Sequence, residues 1–261
     1  MFTELGLTTA WHLTDVDNLP SIAAFGLRSR NALSVGRIPF NEVGWDHIVN
    51  SRPSGHDAVL TFMTPRNKFV HGRHMRHAQQ HPRSRGLCLL EIDIRVASRG
   101  EPDRVTVTSG NVAKKTIPVA MATLPHFEEV INWNAHLNWA CAETDVIANA
   151  RMAEIHFPDP VPATAIRHVM VATQSVAEIA RKHWNLSEVL TVDGLLAEGF
   201  SLPTACRQNF SVRNAYEPFQ IFSSRYGNGT VIAGLGNGRR AIARFDDQLQ
   251  VISFGSYYRV R

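Results

Sequence analysis

Two stretches of the chain carry residues whose types and spacing could do chemistry. In WHLTDVDNLPSIAAFGLRSRN, residues 11 to 31, His12 stands on a short apolar strand that runs into a capped helix. In RMAEIHF, residues 151 to 157, Glu154 lies on another strand that is apolar around it. A histidine at a sheet edge could donate to ribose hydroxyls; a core histidine bonded to a neighbouring carbonyl is the alternative. A carboxylate between Ala153 and Ile155 is either solvent-facing or functional, and the reaction it could serve is a defined one. Breaking an N-glycosidic bond passes through an oxocarbenium-like state, and a carboxylate beside the ribose can bond its hydroxyl and stabilise that cation.

Arginine is the other residue type such chemistry needs, because its planar fork reaches two phosphate oxygens at once. Arg52, in HIVNSRPSG, ends a long loop and could pair with a pyrophosphate or polarise an acceptor. Arg66, in FMTPRNKF, directly follows a strand, another natural phosphate-facing place. For both, a solvated surface group is the alternative. Residues 66 to 85, RNKFVHGRHMRHAQQHPRSR, hold six Lys/Arg, four His and no acid, a density that the modest net charge conceals. Arg66, Lys68, Arg73, Arg76, Arg83 and Arg85 could follow a phosphate backbone while Phe69 or a histidine ring stacks on a base; a solvated basic face is the alternative. His71, His74, His77 and His81 lack a zinc spacing and no Cys or acid joins them, so no metal is expected. GLGNGR, residues 234–239, precedes a strand and not a helix, which favours a hairpin turn over a phosphate-cradling loop. Trp133 and Trp139 could stack bases, although aromatics at near-helical spacing suit a core.

The elements that must position these groups follow from periodicity. TTAWHL reads as the first strand. Asp17 is placed to cap a helix with Pro20 in its first turn, a buried stripe of Leu19, Ile22, Ala23 and Phe25, and Gly26 beyond its end. Residues 28–57 show no sustained period and carry Gly36, Gly44, Pro53 and Gly55, which predicts a long loop with one helical turn; such loops are usually functional. AVLTFM, residues 58–63, reads as a buried strand. CLLEIDIRV reads as a half-exposed one, alternating Leu90, Ile92, Ile94 and Val96 with Glu91, Asp93 and Arg95. RVTVTS is a further short strand, and Phe127, Val130, Ile131, Leu137 and Cys141 have helical spacing. MAEIHF and RHVMVAT are strands separated by the turn PDPVPATA, and SVAEIARKHW is a closing helix that completes the unit at about residue 185. Past a helix around 188–199, short apolar strands punctuated by Asn228-Gly229 and Asn237-Gly238 predict a β-meander packed on the main unit.

Composition bounds the rest. With 44% hydrophobic and 19% charged residues, the 261-residue chain can bury an ordinary core and is not a long disordered segment. The net charge of +4 is only a weak pointer to a polyanion partner. Cys88, Cys141 and Cys206 are far apart with no CxxC pair, which fits reduced, buried thiols of a cytosolic protein. The N-terminus MFTELGLTT lacks the basic patch and apolar run of a signal peptide, and no apolar stretch reaches spanning length, so a soluble cytoplasmic protein is expected.

Taken in order, WHLTDVDNLPSIAAFGLRSRN, HIVNSRP, HDAVLTFMTPRNKFV, and MAEIHFPDPVP followed by RHVMVA resemble the DarT family. Its members are the toxins of toxin–antitoxin systems that use NAD to ADP-ribosylate bases of single-stranded DNA. The resemblance covers residues 8 to about 185. It implies an α+β fold: an ADP-ribosyltransferase-like split antiparallel β core around an NAD cleft, with flanking helices and a C-terminal β-rich extension. It divides the chain into an NAD-binding ADP-ribosyltransferase domain, residues 1–185, and a helix and β-meander extension, residues 186–261, of unassigned role. On this basis NAD is the co-substrate, His12 and Thr14 hold the nicotinamide ribose side, and Asn18 shapes the pocket. Arg52 would contact the NAD phosphate and help activate the base, and Glu154 would be the catalytic glutamate. One carboxylate suffices, because nicotinamide leaves without protonation. Residues 123–153 would form the loop that presents the acceptor.

The implied activity is that of a toxin-type mono-ADP-ribosyltransferase acting on single-stranded DNA, with a cognate antitoxin as partner and a place in phage defence. The same chemistry on RNA or on a protein side chain, and a catalytically silent nucleic-acid-binding module, are the alternatives. His12, Arg52 and Glu154 together favour the enzyme, and a protein acceptor leaves the basic strip unexplained. The chain departs from the family where the aromatic-rich YVPFYF is AVLTFM, where PRSPMLY is PRNKFVH, and where Asp15 replaces a second histidine. These changes bear on the acceptor base and on DNA versus RNA more than on the NAD chemistry.

Overall fold

The structure, a computed structural model, describes residues 9–44, 49–50, 56–63, 83–111, 119–120, 149–191, 219–223, 227–235, 240–245, 248–253 and 257–259. Strands β1 (Thr9–Asp15), β2 (Ala58–Phe62), β3 (Leu87–Asp93), β4 (Thr106–Val107), β5 (Val119–Ala120), β6 (Glu154–Pro158), β7 (Ile166–Val171) and β8 (Glu188–Thr191) form one sheet. Its eight strands run in the order β5-β4-β6-β2-β1-β3-β7-β8. The ladders are antiparallel except β7 to β8, which is parallel and needs the crossover that the helix Gln174–His183 supplies.

The sheet is split at its centre. β1 pairs with β3 from Thr9↔Asp93 to Asp15↔Leu87, but among the described residues it meets β2 only at Trp11↔Phe62. Beyond that pair the two strands part and leave a wedge, with β1 on one flank and β2, backed by β6, on the other.

The chain leaves β1 through a tighter turn than the sequence suggests. Asp15, not Asp17, is the capping residue: it accepts from the Asp17 N–H at 2.7 Å and opens a single 3-10 turn, Val16–Asn18. Helix α1 (Leu19–Phe25) follows at once, with Pro20 in the first turn, where an amide has no intrahelical partner to lose. Leu19 and Ile22 are buried and Ala23 packs beside them, but Phe25 is 52% exposed and stands outside the core. Gly26 ends α1 at φ +75°, where a Cβ would stand 2.3 Å from the Val161 carbonyl oxygen. That oxygen belongs to an antiparallel bridge in which Leu27 and Val161 each donate to the other at 2.9 Å. Asp159 adds a second tie, accepting from the Ser29 N–H and pairing with Arg28 at 3.0 Å. Helix α1 and helix α2 (Arg30–Val35) are thereby fastened to the end of β6; with residues 49–50 helical as well, the segment 28–57 holds more helix than the single turn expected.

The apolar core joins Ala10, Val59, Cys88, Leu90, Ile92, Ile155, Phe157, Val169 and Val171 of the sheet to Leu19 and Ile22 of α1 and to Ala177 and Ala180 of the crossover helix. Each large side chain so buried contributes roughly 1.5–3 kcal/mol. Burial above all, then the charges of Asp15 and Asp17, push the Cys88 thiol far up, so it behaves as a small hydrophobe. Cys141 and Cys206 lie outside the described residues.

β3 is not the half-exposed strand its alternation predicts: every residue but Asp93 is buried. Glu91 is covered and meets His168 of β7, Oε2 to Nδ1, at 2.7 Å. Asp93 ends the strand by accepting from the N–H groups of Arg95 and Val96, so Ile94–Ala97 winds into a short helix, α3, instead of continuing extended. The crossover helix Gln174–His183 is α4; the helix expected over 125–141 lies outside the described residues.

The sheet runs past residue 185. Residues 188–191, expected as the start of a helix, form β8 instead, because they are the edge that completes the β7–α4–β8 crossover. Five more strands, β9 (Phe219–Ser223), β10 (Gly227–Leu235), β11 (Arg240–Phe245), β12 (Gln248–Ser253) and β13 (Tyr257–Arg259), form a second, antiparallel sheet ordered β12-β11-β10-β9-β13. The expected meander is present from β9 to β12, and β13 returns to pair with β9. Asn228-Gly229 is inside β10, paired with Phe222 and Ile221, so this dipeptide is not the turn. Asn237-Gly238 falls between β10 and β11.

Candidate active site

The wedge between β1 and β2 is a cleft. β1 lines it with His12, Leu13 and Thr14, β2 with the run Ala58–Phe62, and β6 with Glu154. Phe25, Arg28, Arg30, Leu33, Ile38, residues 40–44 and Asn111 also line it.

Glu154 stands at the apex. Trp11 pairs with Phe62 and Phe62 pairs with Glu154, so the last contact of β1 with β2 continues directly into this residue. Its side chain is 1% exposed, and Oε2 lies 3.2 Å from His156 Nε2. Its backbone is held from the other side by Thr108, whose N–H donates to the Glu154 carbonyl at 3.0 Å and whose hydroxyl oxygen accepts from the Glu154 N–H at 3.1 Å. The same hydroxyl donates to the Gly110 carbonyl at 2.5 Å, which fixes the turn that carries Asn111 to the cleft.

His12 spans the gap. Its Nδ1 is 2.8 Å from the Leu60 carbonyl oxygen on β2, and since a carbonyl only accepts, Nδ1 carries the proton. The bond to a neighbouring carbonyl is the structural alternative that the sequence offers for this residue, and the side chain also lines the cleft. Thr14 and Asn18 lie further along the same flank, where Asn18 Nδ2 donates to Thr14 Oγ1 at 3.0 Å and the rest of its amide engages Asn41. Asn18 thus links Thr14 to Asn41, and all three line the cleft. Among the cations, Arg28 is paired with Asp159, and Arg30 is paired with Glu42 and lies 5.9 Å from the centre of the Phe40 ring. Glu42 also accepts from the Gly44 N–H at 2.6 Å, which ties the segment 38–44 down.

Of the residues expected from sequence, His12, Thr14, Asn18 and Glu154 come together on this cleft. Arg52, Arg66, Lys68, Arg73 and Arg76, together with residues 123–148, lie outside the described residues. Arg83 and Arg85 are exposed and do not line the cleft; Arg85 forms an ion pair with Asp17 and approaches His183 Nε2 at 3.3 Å. Phe25, Arg30, Phe40, Asn41, Asn111, Thr108 and His156 were missed. For His156 the signal was the i, i+2 spacing from Glu154, which places both on one face of a strand; TVTSGN, which holds Thr108 and Asn111, offers none. Among the described residues no group of three His, Cys, Asp or Glu could hold a metal ion, and the histidines of residues 71–81 lie outside them. No described helix is long and apolar enough to cross a membrane.

The model of the family DarT, described as ssDNA thymidine ADP-ribosyltransferase, matches residues 11–193, and the chain belongs to that family. Among solved structures, Thermosipho africanus DarTG in complex with ADP-ribose is similar with a TM-score of 0.60 at 20% identity, over 75% of this chain and 52% of that one. Thermus sp. 2.9 DarT in complex with ADP-ribosylated ssDNA gives 0.56 at 17% identity, over 73% of this chain and 96% of that one. The same Thermus DarT in complex with carba-NAD+ gives 0.54 at 16% identity, over 70% and 95%. The chain therefore spans about half the length of the Thermosipho chain and nearly all of the Thermus one, and at these identities the likeness is one of fold. A comparison of the sequence with curated proteins finds no match.

Proposed function

We propose that the wedge binds NAD with its nicotinamide ribose between His12 and Glu154, and that the protein transfers ADP-ribose to thymidine bases of single-stranded DNA. The observation that carries this reading is the buried Glu154 carboxylate at the apex of the split sheet, in a chain of the DarT family. In the reaction the bond between ribose C1′ and the nicotinamide nitrogen breaks, and its electron pair leaves on the pyridinium, which becomes neutral without a proton. Positive charge is left on the ribose. Glu154 accepts a hydrogen bond from a ribose hydroxyl and stabilises that charge; aligned groups of this kind are worth on the order of 10²–10³ in rate. The acceptor atom of the base then bonds to C1′ and gives up its proton.

Around this centre, Arg52 steadies the pyrophosphate and helps the base lose its proton, and His12 and Thr14 hold the ribose side. Arg28 and Arg30 are fixed by Asp159 and Glu42, with donors left over for phosphate. The strip of residues 66–85 guides the DNA strand. The catalytic unit is residues 1–185 extended by β8, and the second sheet belongs to the extension 186–261. The protein works as a cytoplasmic toxin held in check by an antitoxin, in a phage-defence setting.

The test is to incubate the full chain with NAD and a thymidine-containing single-stranded oligonucleotide, and to weigh the oligonucleotide by mass spectrometry. One ADP-ribose should be added, with matching release of nicotinamide. Thymidine-free DNA and an RNA of the same sequence should stay unmodified; modification of the RNA alone would overturn the acceptor. Glu154→Ala should lose transfer through kcat, with NAD binding retained, and a near-parental rate in that variant would remove Glu154 from the reaction.

A further inference from the structure

We propose that His156 is a positioning residue of Glu154: it orients the catalytic carboxylate by donating from Nε2 to Oε2. The proposal rests on the reading of Glu154 given above.

Glu154 and His156 are two residues apart on β6, so their side chains leave the same face of the strand. Their attachment points are about 7 Å apart along an extended chain, a span that only two long side chains can close. These two close it, with Oε2 and Nε2 at 3.2 Å and exposures of 1% and 4%. A carboxylate taken this far from water needs fixed donors in its place, since an unmet acceptor there is costly. A carboxylate oxygen accepts, so in this bond the proton is donated from Nε2 of His156.

His156 is well placed to act as a fixed point. Its backbone is in register with Leu60 of β2 on one side and Thr106 of β4 on the other, so it is held within the sheet and not at an edge. Glu154 lines the cleft and His156 does not, which makes the histidine's route to the reaction indirect. Pinning one carboxylate oxygen sets the direction of the other. A carboxylate that must meet a ribose hydroxyl and a developing cation within a few tenths of an ångström gains rate from not having to search for that orientation. Substrate binding does not depend on that orientation to the same degree, so the loss belongs in kcat.

The experiment compares His156→Phe, which keeps a planar ring without the donor, with His156→Gln, whose amide nitrogen falls near the position of Nε2. Both are measured in the full chain for NAD affinity by calorimetry and for transfer to the thymidine oligonucleotide. The expected result is a fall in kcat of roughly 10- to 100-fold for His156→Phe with KM little changed, and recovery to within about threefold in His156→Gln. In a Glu154→Gln background, His156→Phe should cost no further rate, because its effect passes through the carboxylate.

A parental kcat in His156→Phe overturns the proposal, as does an equal loss in both variants or an undiminished loss in the Glu154→Gln background. Should His156→Phe fail to fold, His156→Asn, which withdraws the amide from the carboxylate, takes its place in the same comparison. A Glu154→Gln variant that itself keeps the parental rate refutes the assignment of Glu154, and is told apart from a failure of His156 by that single measurement.

Discussion

Asn18 grips the backbone of Asn41 in both directions: its Oδ1 accepts from the Asn41 N–H at 2.7 Å, and its Nδ2 donates to the Asn41 carbonyl at 2.9 Å. The same Nδ2 reaches Thr14 Oγ1 on β1, so one buried amide joins the strand flank of the cleft to the segment 40–44 that also lines it. Asn18→Asp keeps the acceptor, removes the donor and sets a carboxylate oxygen against a carbonyl. With about 1 kcal/mol at stake per hydrogen bond, the KM for NAD should rise roughly tenfold while kcat falls less. Calorimetric NAD titration beside steady-state transfer checks this, and unchanged affinity would mean that the segment holds its place without Asn18.

Acid sensitivity should concentrate at Asp93. Partial burial alone would raise its carboxyl, but the Arg167 hydrogen bond, the N–H groups of Val96 and Arg95 and the Arg167 charge together hold it below the usual 3.8. A carboxyl lower in the folded than in the unfolded chain stabilises the fold above its unfolded value, and that contribution is lost as pH falls through the folded one. Thermal melts of the parent between about pH 6 and about pH 3 should therefore show a decline that is shallower in Asp93→Asn, since the variant keeps a capping side chain and has no charge to lose. Superimposable declines would place the acid-labile groups elsewhere.

Much of the site was legible because it lies in ordered blocks. His12, Thr14 and Asn18 fall within one short stretch, and Glu154 within another, and the two converge on the wedge. What the blocks do not contain is the register that makes the wedge. The single Trp11↔Phe62 pair depends on how two strands some fifty residues apart diverge, and no local period encodes that. β3 was misread for a related reason: alternation marks Glu91 as polar, but whether a polar residue faces water or a partner 77 positions away, His168, is decided by the fold. Phe25 shows the converse, an apolar residue at helical spacing that lines the cleft and not the core. His156 was readable in principle from its spacing to Glu154, whereas Thr108 acts through a hydroxyl that any surface threonine also carries.

Arg85 and the rest of the basic strip should separate in their salt dependence. Arg85 is engaged by Asp17, so its substitution by serine removes a cation whose field is already partly cancelled. Substituting Arg66, Lys68, Arg73 and Arg76 together should weaken binding of a single-stranded oligonucleotide and flatten the slope of log affinity against log salt by roughly 0.7 per lost phosphate contact. Arg85→Ser alone should leave the slope within error of the parent. NAD hydrolysis without DNA should be unaffected in both variants. A fourfold variant with the parental slope would return the strip to a solvated face, and a reduced slope in Arg85→Ser would show that the Asp17 pair opens when DNA binds.

Arg52 follows in sequence the segment 40–44 that lines the cleft, and is proposed to steady the NAD pyrophosphate while helping the acceptor base lose its proton. Lysine keeps the charge but not the planar fork that reaches two oxygens at once, and an ammonium holds its water more tightly than a guanidinium does. If geometry is what matters, Arg52→Lys should lose at least about tenfold in kcat/KM and lie closer to Arg52→Ala than to the parent, because each lost charge-assisted hydrogen bond costs roughly 1.5–3 kcal/mol. If charge alone matters, Arg52→Lys should track the parent and Arg52→Ala should fall by itself. Calorimetry with NAD and mass-spectrometric transfer assays on the three proteins distinguish the outcomes. A loss confined to KM would assign Arg52 to pyrophosphate binding, whereas a loss that includes kcat at saturating NAD is what its second role at the acceptor base requires.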